Sequence, residues 1–275
     1  MLDIFLPDML GWTVLNHLKQ DSATRHIPVQ IISVEEERLQ GLGHGAFSYL
    51  IKPATTDELK RAFARVVEYA QSRRRHLLVV EDNEIERQSI VELLRHEDVE
   101  ISTAGTGAEA LGALSDTRFD CVILDLRLPD ISGFELMENI RQNPELRELP
   151  IVVCTGKDLT ENDSNRLTRM AESVVLKDVQ SPERLLDEVS LFLHLVAADL
   201  PANKRQMLDR LRQSDEALIG KKVLVVDDDV RNIFALTSLL ERHGVRVVNA
   251  ENGAEAVSLL DEDPEIDGVL MDIMM

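Results

Sequence analysis

Five side chains in the middle of the chain stand directly after or at the end of apolar runs, and all are of types that handle phosphate. They are Glu81 and Asp82 after "LLVV", Asp125 after "CVIL", Thr155 closing "PIVVCT", and Lys177 after "SVVL". Brought together in one crevice, three carboxylates raise one another's pKa unless a cation offsets the repulsion. Such a set asks for a divalent ion. Oxygen ligands with few protein donors suit Mg²⁺, which keeps several waters and often recruits a phosphate oxygen. The lysine and threonine then have a target in the remaining oxygens of a phosphoryl group.

Taken singly, an aspartate after a strand reads as a helix cap or turn residue. Recurrence argues otherwise. "LDIFLPDMLGWTVLNHLKQDSATRHIPVQIIS" (2–33) aligns without a gap on "LDLRLPDISGFELMENIRQNPELRELPIVVCT" (124–155), an offset of 122. Asp3 and Ser33 are therefore 30 residues apart, as are Asp125 and Thr155. "HLLVVEDNEIERQSIVELLRHEDVEISTAGTGAEAL" (76–111) likewise aligns on "KVLVVDDDVRNIFALTSLLERHGVRVVNAENGAEAV" (222–257). Asp82 precedes Asp125 by 43 residues and Asp228 precedes Asp272 by 44. Only the central copy contains both halves of the unit. The chain starts and stops at the same strand of the repeat, which leads us to expect a fragment boundary at each end.

The complete unit alternates short apolar runs with helical patterns. "LLVV", "VEIST", "FDCVILD", "PIVVCT" and "SVVLK" read as strands, several of them apolar on both faces. Residues 84–96 read as a helix with Ile85, Ile90, Val91, Leu93 and Leu94 on one apolar face, and Ser181 with Pro182 open another. Five β/α units in about 120 residues predict an α/β domain, a flavodoxin-like doubly wound five-stranded parallel sheet, repeated. In such sheets ligands bind at the carboxyl ends of the strands, where the charged residues stand. The expected organisation is a C-terminal part of one repeat at 1–71 (strand 3 to helix 5) and a complete repeat at 76–197. A helical linker at 198–220 and an N-terminal part at 221–275 (strand 1 to strand 3) follow. The three arginines of "SRRRH" (72–76) read as a solvated helix end.

Fifty acidic against 30 basic residues give a net charge of −20, which disfavours nucleic acid and anionic lipid surfaces as partners. Cys121 and Cys154 lie inside apolar runs and read as reduced core thiols. No run approaches 18 apolar residues, and the N-terminus has no basic leader pattern, so a cytoplasmic location is expected. The "GTGAEAL" and "ENGAEAV" stretches lack dinucleotide or P-loop spacing and read as turns opening a helix.

These repeats resemble response-regulator receiver domains, and the resemblance covers nearly the whole chain outside 198–220. It implies that Asp125 is the phosphoacceptor, Glu81 and Asp82 the metal-binding pair, Thr155 the switch hydroxyl and Lys177 the phosphate-facing lysine. Asp3, Ser33 and Lys52 match in the first copy, and Asp227, Asp228 and Asp272 in the third. The resemblance adds the backbone carbonyl two residues after the acceptor as a metal ligand, at Arg127 and, in the first copy, Phe5. It implies Mg²⁺ as cofactor and a histidine kinase or histidine phosphotransfer domain as donor, with Asp125 attacking phosphohistidine to give an acyl phosphate. The central copy departs from the pattern in two places. Val174 stands where the first copy has Tyr49, and Lys177-Asp178 where the first copy has Lys52-Pro53, the latter favouring a cis bond.

The reading that follows is a phosphoacceptor segment of a two-component phosphorelay, from a multi-receiver hybrid sensor histidine kinase, without a kinase core in this chain. The competing readings are a non-phosphorylated scaffold, suggested by Val174 and Asp178, and an Asp-nucleophile phosphatase, opposed by Arg127 where a second aspartate would stand. Receiver–receiver association is a further expectation, because 1–70 and 221–275 each leave a sheet edge and an apolar helix face open.

Overall fold

Apolar runs of four to six residues become parallel strands, and the segments between them become the crossover helices that parallel pairing requires. The computed structural model describes residues 1–275 apart from 8, 35–37, 72–73, 157–158, 178–180, 217–219, 228–231, 234–235, 238–239, 241–243 and 273–275. The described chain forms two compact units, Met1–Arg205 and Gln206–Met275.

The first unit contains two sheets. Strands β1 (Leu2–Asp3), β2 (Gln30–Ser33) and β3 (Ser48–Ile51) pair in that order, with helices α1 (Gly11–Gln20), α2 (Arg38–Gly43) and α3 (Thr56–Gln71). Ile4, Leu15, Val29, Ile31, Ala46 and Tyr49 form their core. The second sheet comprises β4 (Arg75–Val80), β5 (Val99–Ala104), β6 (Cys121–Leu124), β7 (Ile151–Thr155) and β8 (Ser173–Leu176). Its order is β5-β4-β6-β7-β8 and every pairing is parallel. This is the doubly wound order 2-1-3-4-5, with the reversal between β4 and β6. Helices α4 (Glu84–Leu94), α5 (Gly107–Asp116), α6 (Gly133–Gln142), α7 (Glu161–Met170) and α8 (Ser181–Phe192) cover it.

The central strands β6 and β7 are buried along their whole length, because helices cover both faces. Leu78, Val80, Val122, Leu124, Ile151 and Val153 pack with Phe134, Met137 and Ile140 of α6. Burying each such side chain contributes about 1.5–3 kcal/mol. Local chemistry starts the helices: the Asn83 side chain accepts from the amides of Ile85 and Glu86, Thr106 from Glu109, and Ser132 from Glu135. Thr160 and Asp163 form a reciprocal capping box. Both cysteines are buried and free.

Two expectations need correction. Ile85 is 77% exposed, because it shares its face of α4 with Gln88, Ser89 and Glu92 rather than with buried Ile90 and Leu94. Arg75 is not a solvated helix end. It opens β4, its amide bonds the Asp98 carbonyl at 2.7 Å, and its guanidinium lies 3.5 Å from the Tyr69 ring centroid.

The two sheets of the first unit meet through side chains that periodicity does not announce. Arg25 pairs with Asp187, Arg65 with Glu148 at 2.7 Å, and the Tyr69 hydroxyl donates to the Leu193 carbonyl at 2.8 Å. Helix α9 (Ala202–Glu216) follows, and the division between units falls inside it. The second unit holds β9 (Lys222–Val226), β10 (Arg246–Ala250), α10 (Gly253–Glu262) and β11 (Gly268–Met271), with strand order β10-β9-β11. Its core is Leu224, Val226, Ala250 and Ala256.

Candidate functional site

Strand register brings the acidic and basic side chains to one edge. Val80 lies beside Leu124, Leu124 beside Val153, and Thr155 beside Leu176, so Glu81, Asp125, Thr155 and Lys177 emerge together at the carboxyl ends. The backbone continues the ladder into the site: the Asp125 amide bonds the Val80 carbonyl, and the Lys177 amide the Thr155 carbonyl, both at 2.9 Å. Gly133 lets α6 start against this edge. A Cβ there would sit 2.7 Å from the Asp125 carbonyl oxygen and 2.7 Å from Leu126 Cα.

Glu81, Asp82 and Asp125 each offer a carboxylate oxygen within 4.8 Å of the others. Glu81 and Asp125 are buried, whereas Asp82 is exposed. Lys177 Nζ donates to Glu81 Oε2 at 2.8 Å and Glu86 Oε2 at 2.6 Å, and lies 3.6 Å from Asp125 Oδ2. Burial pushes the Glu81 carboxyl above its ordinary range, against the hydrogen bond from Lys177 that favours its charge. Burial also opposes the Lys177 charge, but its bonds to Glu81 and Glu86 outweigh that and hold the ammonium above its usual range. Thr155 is fully buried at the end of β7. Arg127 is exposed in the loop after Asp125, with its guanidinium beside Gly156.

The donor set fits a small hard cation. Three carboxylates converge, and Asp125 Oδ1 is buried with no hydrogen-bond partner, a costly condition that a cation would relieve. Two other side chains at this edge were not singled out by sequence. Glu86 takes Lys177 from the first turn of α4, a contact that strand spacing does not encode. Asp130 accepts from the amides of Gly107 and Ala108 at 2.9 and 2.8 Å, and these bonds hold its carboxyl below the ordinary range. The repeated "LPD" was the available signal for Asp130.

The partial copies assemble less. In β1–β3, Lys52 pairs directly with Asp3, whose carboxyl that bond holds low, and buried Ser33 gives its carbonyl to the Lys52 amide at 2.7 Å. Phe5, the matched carbonyl position, is 51% exposed. Lys52-Pro53 is cis and Tyr49 is buried, while Val174 in the central copy is half-exposed. In the second unit Asp227 is buried and accepts from the Asn232 amide at 3.3 Å, and Asp272 is exposed beyond β11. Asp228 and Asp178 lie outside the described residues. Among the described residues, Glu81, Asp82 and Asp125 are the one such acidic triad.

Comparison with known proteins gives the same direction. A family model described as "Response regulator receiver domain" matches residues 77–190 and 223–275. The "Two-component response regulator ORR3" of Oryza sativa subsp. indica is 32% identical over 106 residues, which span 38% of this chain and 81% of that protein. The "Probable transcriptional regulatory protein TcrX" of Mycobacterium tuberculosis is 35% identical over 111 residues, 40% of this chain and 46% of that protein. The chain thus spans less than half the length of that relative. Among solved structures, the response regulator protein TrrA from Thermotoga maritima in complex with Mg(2+)-BeF shares 30% identity with a TM-score of 0.38, covering 42% of this chain and 98% of that one. No helix among the described residues is long and apolar enough to cross a membrane.

Proposed function

The chain belongs to the response regulator receiver family, and on that premise we propose that its central repeat, residues 76–197, accepts a phosphoryl group on Asp125 from a phosphohistidine. The observation that carries this reading is the buried, unpartnered Asp125 Oδ1 beside Glu81, Asp82 and Lys177. Glu81, Asp82, Asp125 and the Arg127 carbonyl would hold Mg²⁺. When bound, the ion supplies positive charge that offsets the carboxylates and the incoming phosphoryl oxygens.

The chain's own groups do the rest. An Asp125 carboxylate oxygen forms the new O–P bond as the P–N bond of the donor breaks, and the leaving electron pair returns to the donor imidazole. Lys177 neutralises phosphoryl oxygens, and the Thr155 hydroxyl donates to one of them. The added charge of about −1.5 to −2 then draws the Thr155 hydroxyl and Lys177 toward it and biases the receiver toward a second arrangement.

The segments at 1–71 and 221–275 are parts of two further receivers, the first directly preceding the central repeat and the second following the linker at 198–220. Asp3, Ser33 and Lys52, and Asp227, Asp228 and Asp272, are their corresponding residues. A cytoplasmic multi-receiver hybrid histidine kinase is the setting we favour, with a histidine kinase or phosphotransfer domain as the donor. Incubation with Mg²⁺ and phosphoramidate tests the reading by intact-mass measurement. The expected result is one added phosphoryl group that requires Mg²⁺ and is lost in Asp125→Asn. Absence of any mass gain, together with absence of Mg²⁺ binding, would favour the scaffold reading.

A further inference from the structure

We propose that Glu86 is a positioning residue that holds Lys177 away from Asp125 in the resting receiver and so limits how readily the site takes up a phosphoryl group. The inference rests on the reading of Asp125 as acceptor and concerns the regulation of that same site.

The distances set the order of preference. Lys177 Nζ lies closest to Glu86 Oε2 at 2.6 Å, then to Glu81 Oε2 at 2.8 Å, and farthest from Asp125 Oδ2 at 3.6 Å. An ammonium has three donors, and the two carboxylates engage two of them. The Glu86 carboxylate is itself steadied, because the Asn83 side-chain amide that caps α4 approaches its other oxygen at 3.4 Å. Glu86 belongs to α4, not to the sheet, and it is outside the acidic triad.

In the N-terminal sheet Lys52 occupies the matched position. Lys52 pairs directly with Asp3. In the central receiver two carboxylates compete, and the one from α4 is nearly half exposed, which makes it the weaker and more easily exchanged partner. Glu86 also places a fourth negative charge at the mouth through which an anionic phosphodonor approaches.

The test compares Glu86→Gln with Glu84→Gln, a change of equal charge two residues away on an exposed residue whose carboxylate accepts from Gln88 instead. The first readout is the Lys177 ammonium resonance in ¹⁵N-lysine-labelled protein, without metal or phosphodonor. Glu86→Gln is expected to shift it and to lower the pKa of Lys177, while Glu84→Gln leaves both unchanged. The second readout is the rate of labelling by phosphoramidate with Mg²⁺. Glu86→Gln is expected to raise it about one-and-a-half- to fivefold, a size appropriate to a half-exposed ion pair, and to have no effect in a Lys177→Ala background. An unmoved resonance would overturn the hold on Lys177 whatever the labelling does. Equal acceleration by both glutamate variants, or acceleration that persists without Lys177, would reduce Glu86 to a general charge effect and overturn the positioning role. A shifted resonance with no labelling of any protein would instead refute the acceptor reading, and with it the control of uptake, while leaving the resting contact established.

Discussion

The central receiver and the N-terminal sheet place equivalent basic residues on the same backbone and surround them differently. At the carboxyl edge, Lys177 is shared among Glu81, Glu86 and Asp125, whereas Lys52 pairs with Asp3. At the opposite end of the third helix of each repeat, Arg141 and Lys19 are matched by the gap-free alignment. Arg141 donates to the carbonyls of Arg147 and Leu149, and Lys19 to those of Arg25 and Ile27. Arg141 also meets the Glu172 carboxylate at 2.8 Å. The position matched by backbone bonding in the N-terminal sheet is Phe47, so Lys19 has no carboxylate there and instead faces His194 Nδ1 at 3.5 Å. The comparison teaches that the fold fixes where the nitrogen sits, while a few neighbours decide whether its charge is compensated.

The largest effect should come from removing the compensated cation. Arg141→Met would leave Glu172, whose side chain is 1% exposed, buried without its partner. A loss of about 3–5 kcal/mol is expected, measured by chemical denaturation. A loss under about 1 kcal/mol would mean that the ion pair is not the buried unit described.

Next in size are the glycines that let the third helix start against the acceptor strand. Gly133→Ala places a methyl 2.7 Å from backbone atoms, and Gly11→Ala meets the matched Asp3 carbonyl and Ile4 Cα, the carbonyl more closely. Each should cost about 1–3 kcal/mol, because backbone rather than a flexible side chain must give way. Thermal melts that separate the two variants widely would break the claim of a shared framework.

A pH-dependent effect sharpens the contrast at Lys19. Burial, with the nearby Arg25 charge, pushes its ammonium down to about 7 from 10.5. Between those values the unfolded chain binds more protons than the folded one, so stability should rise with pH by about 1.4 kcal/mol per unit from this group and be lost again as pH falls toward 7. Lys19→Met should remove that slope. Denaturation at two pH values inside the window, on wild type and variant, checks it. Parallel slopes would show that Lys19 remains charged and compensated.

Much of this architecture was legible in the sequence because apolar runs ending in a charged residue mark strands that stop at a ligand edge. The repeat converted single aspartates into a pattern, and Glu81, Asp82, Asp125, Thr155 and Lys177 emerge at one edge as their spacing implied. Side-chain direction was less legible. Ile85 looked like part of an apolar face, yet the helical period sets it with Gln88 and Ser89. Glu86 is five residues from Glu81 and reaches Lys177 only because α4 turns it back over the strand ends. Arg75 reads as a solvated helix end, and its stacking on Tyr69 depends on a strand start that three successive arginines conceal. Contacts between repeats, such as Arg25 with Asp187, depend on tertiary placement and left no periodic signal.

The central claim is that only the repeat with strand-end acids, acceptor and lysine together takes up phosphate. The most direct measurement is peptide mapping after Mg²⁺-dependent phosphorylation of the intact chain, with borohydride reduction to mark each acyl phosphate. The account predicts the mark on Asp125, with Asp3 and Asp272 unmarked. A mark on Asp3 or Asp272 equal to or greater than that on Asp125 would contradict it.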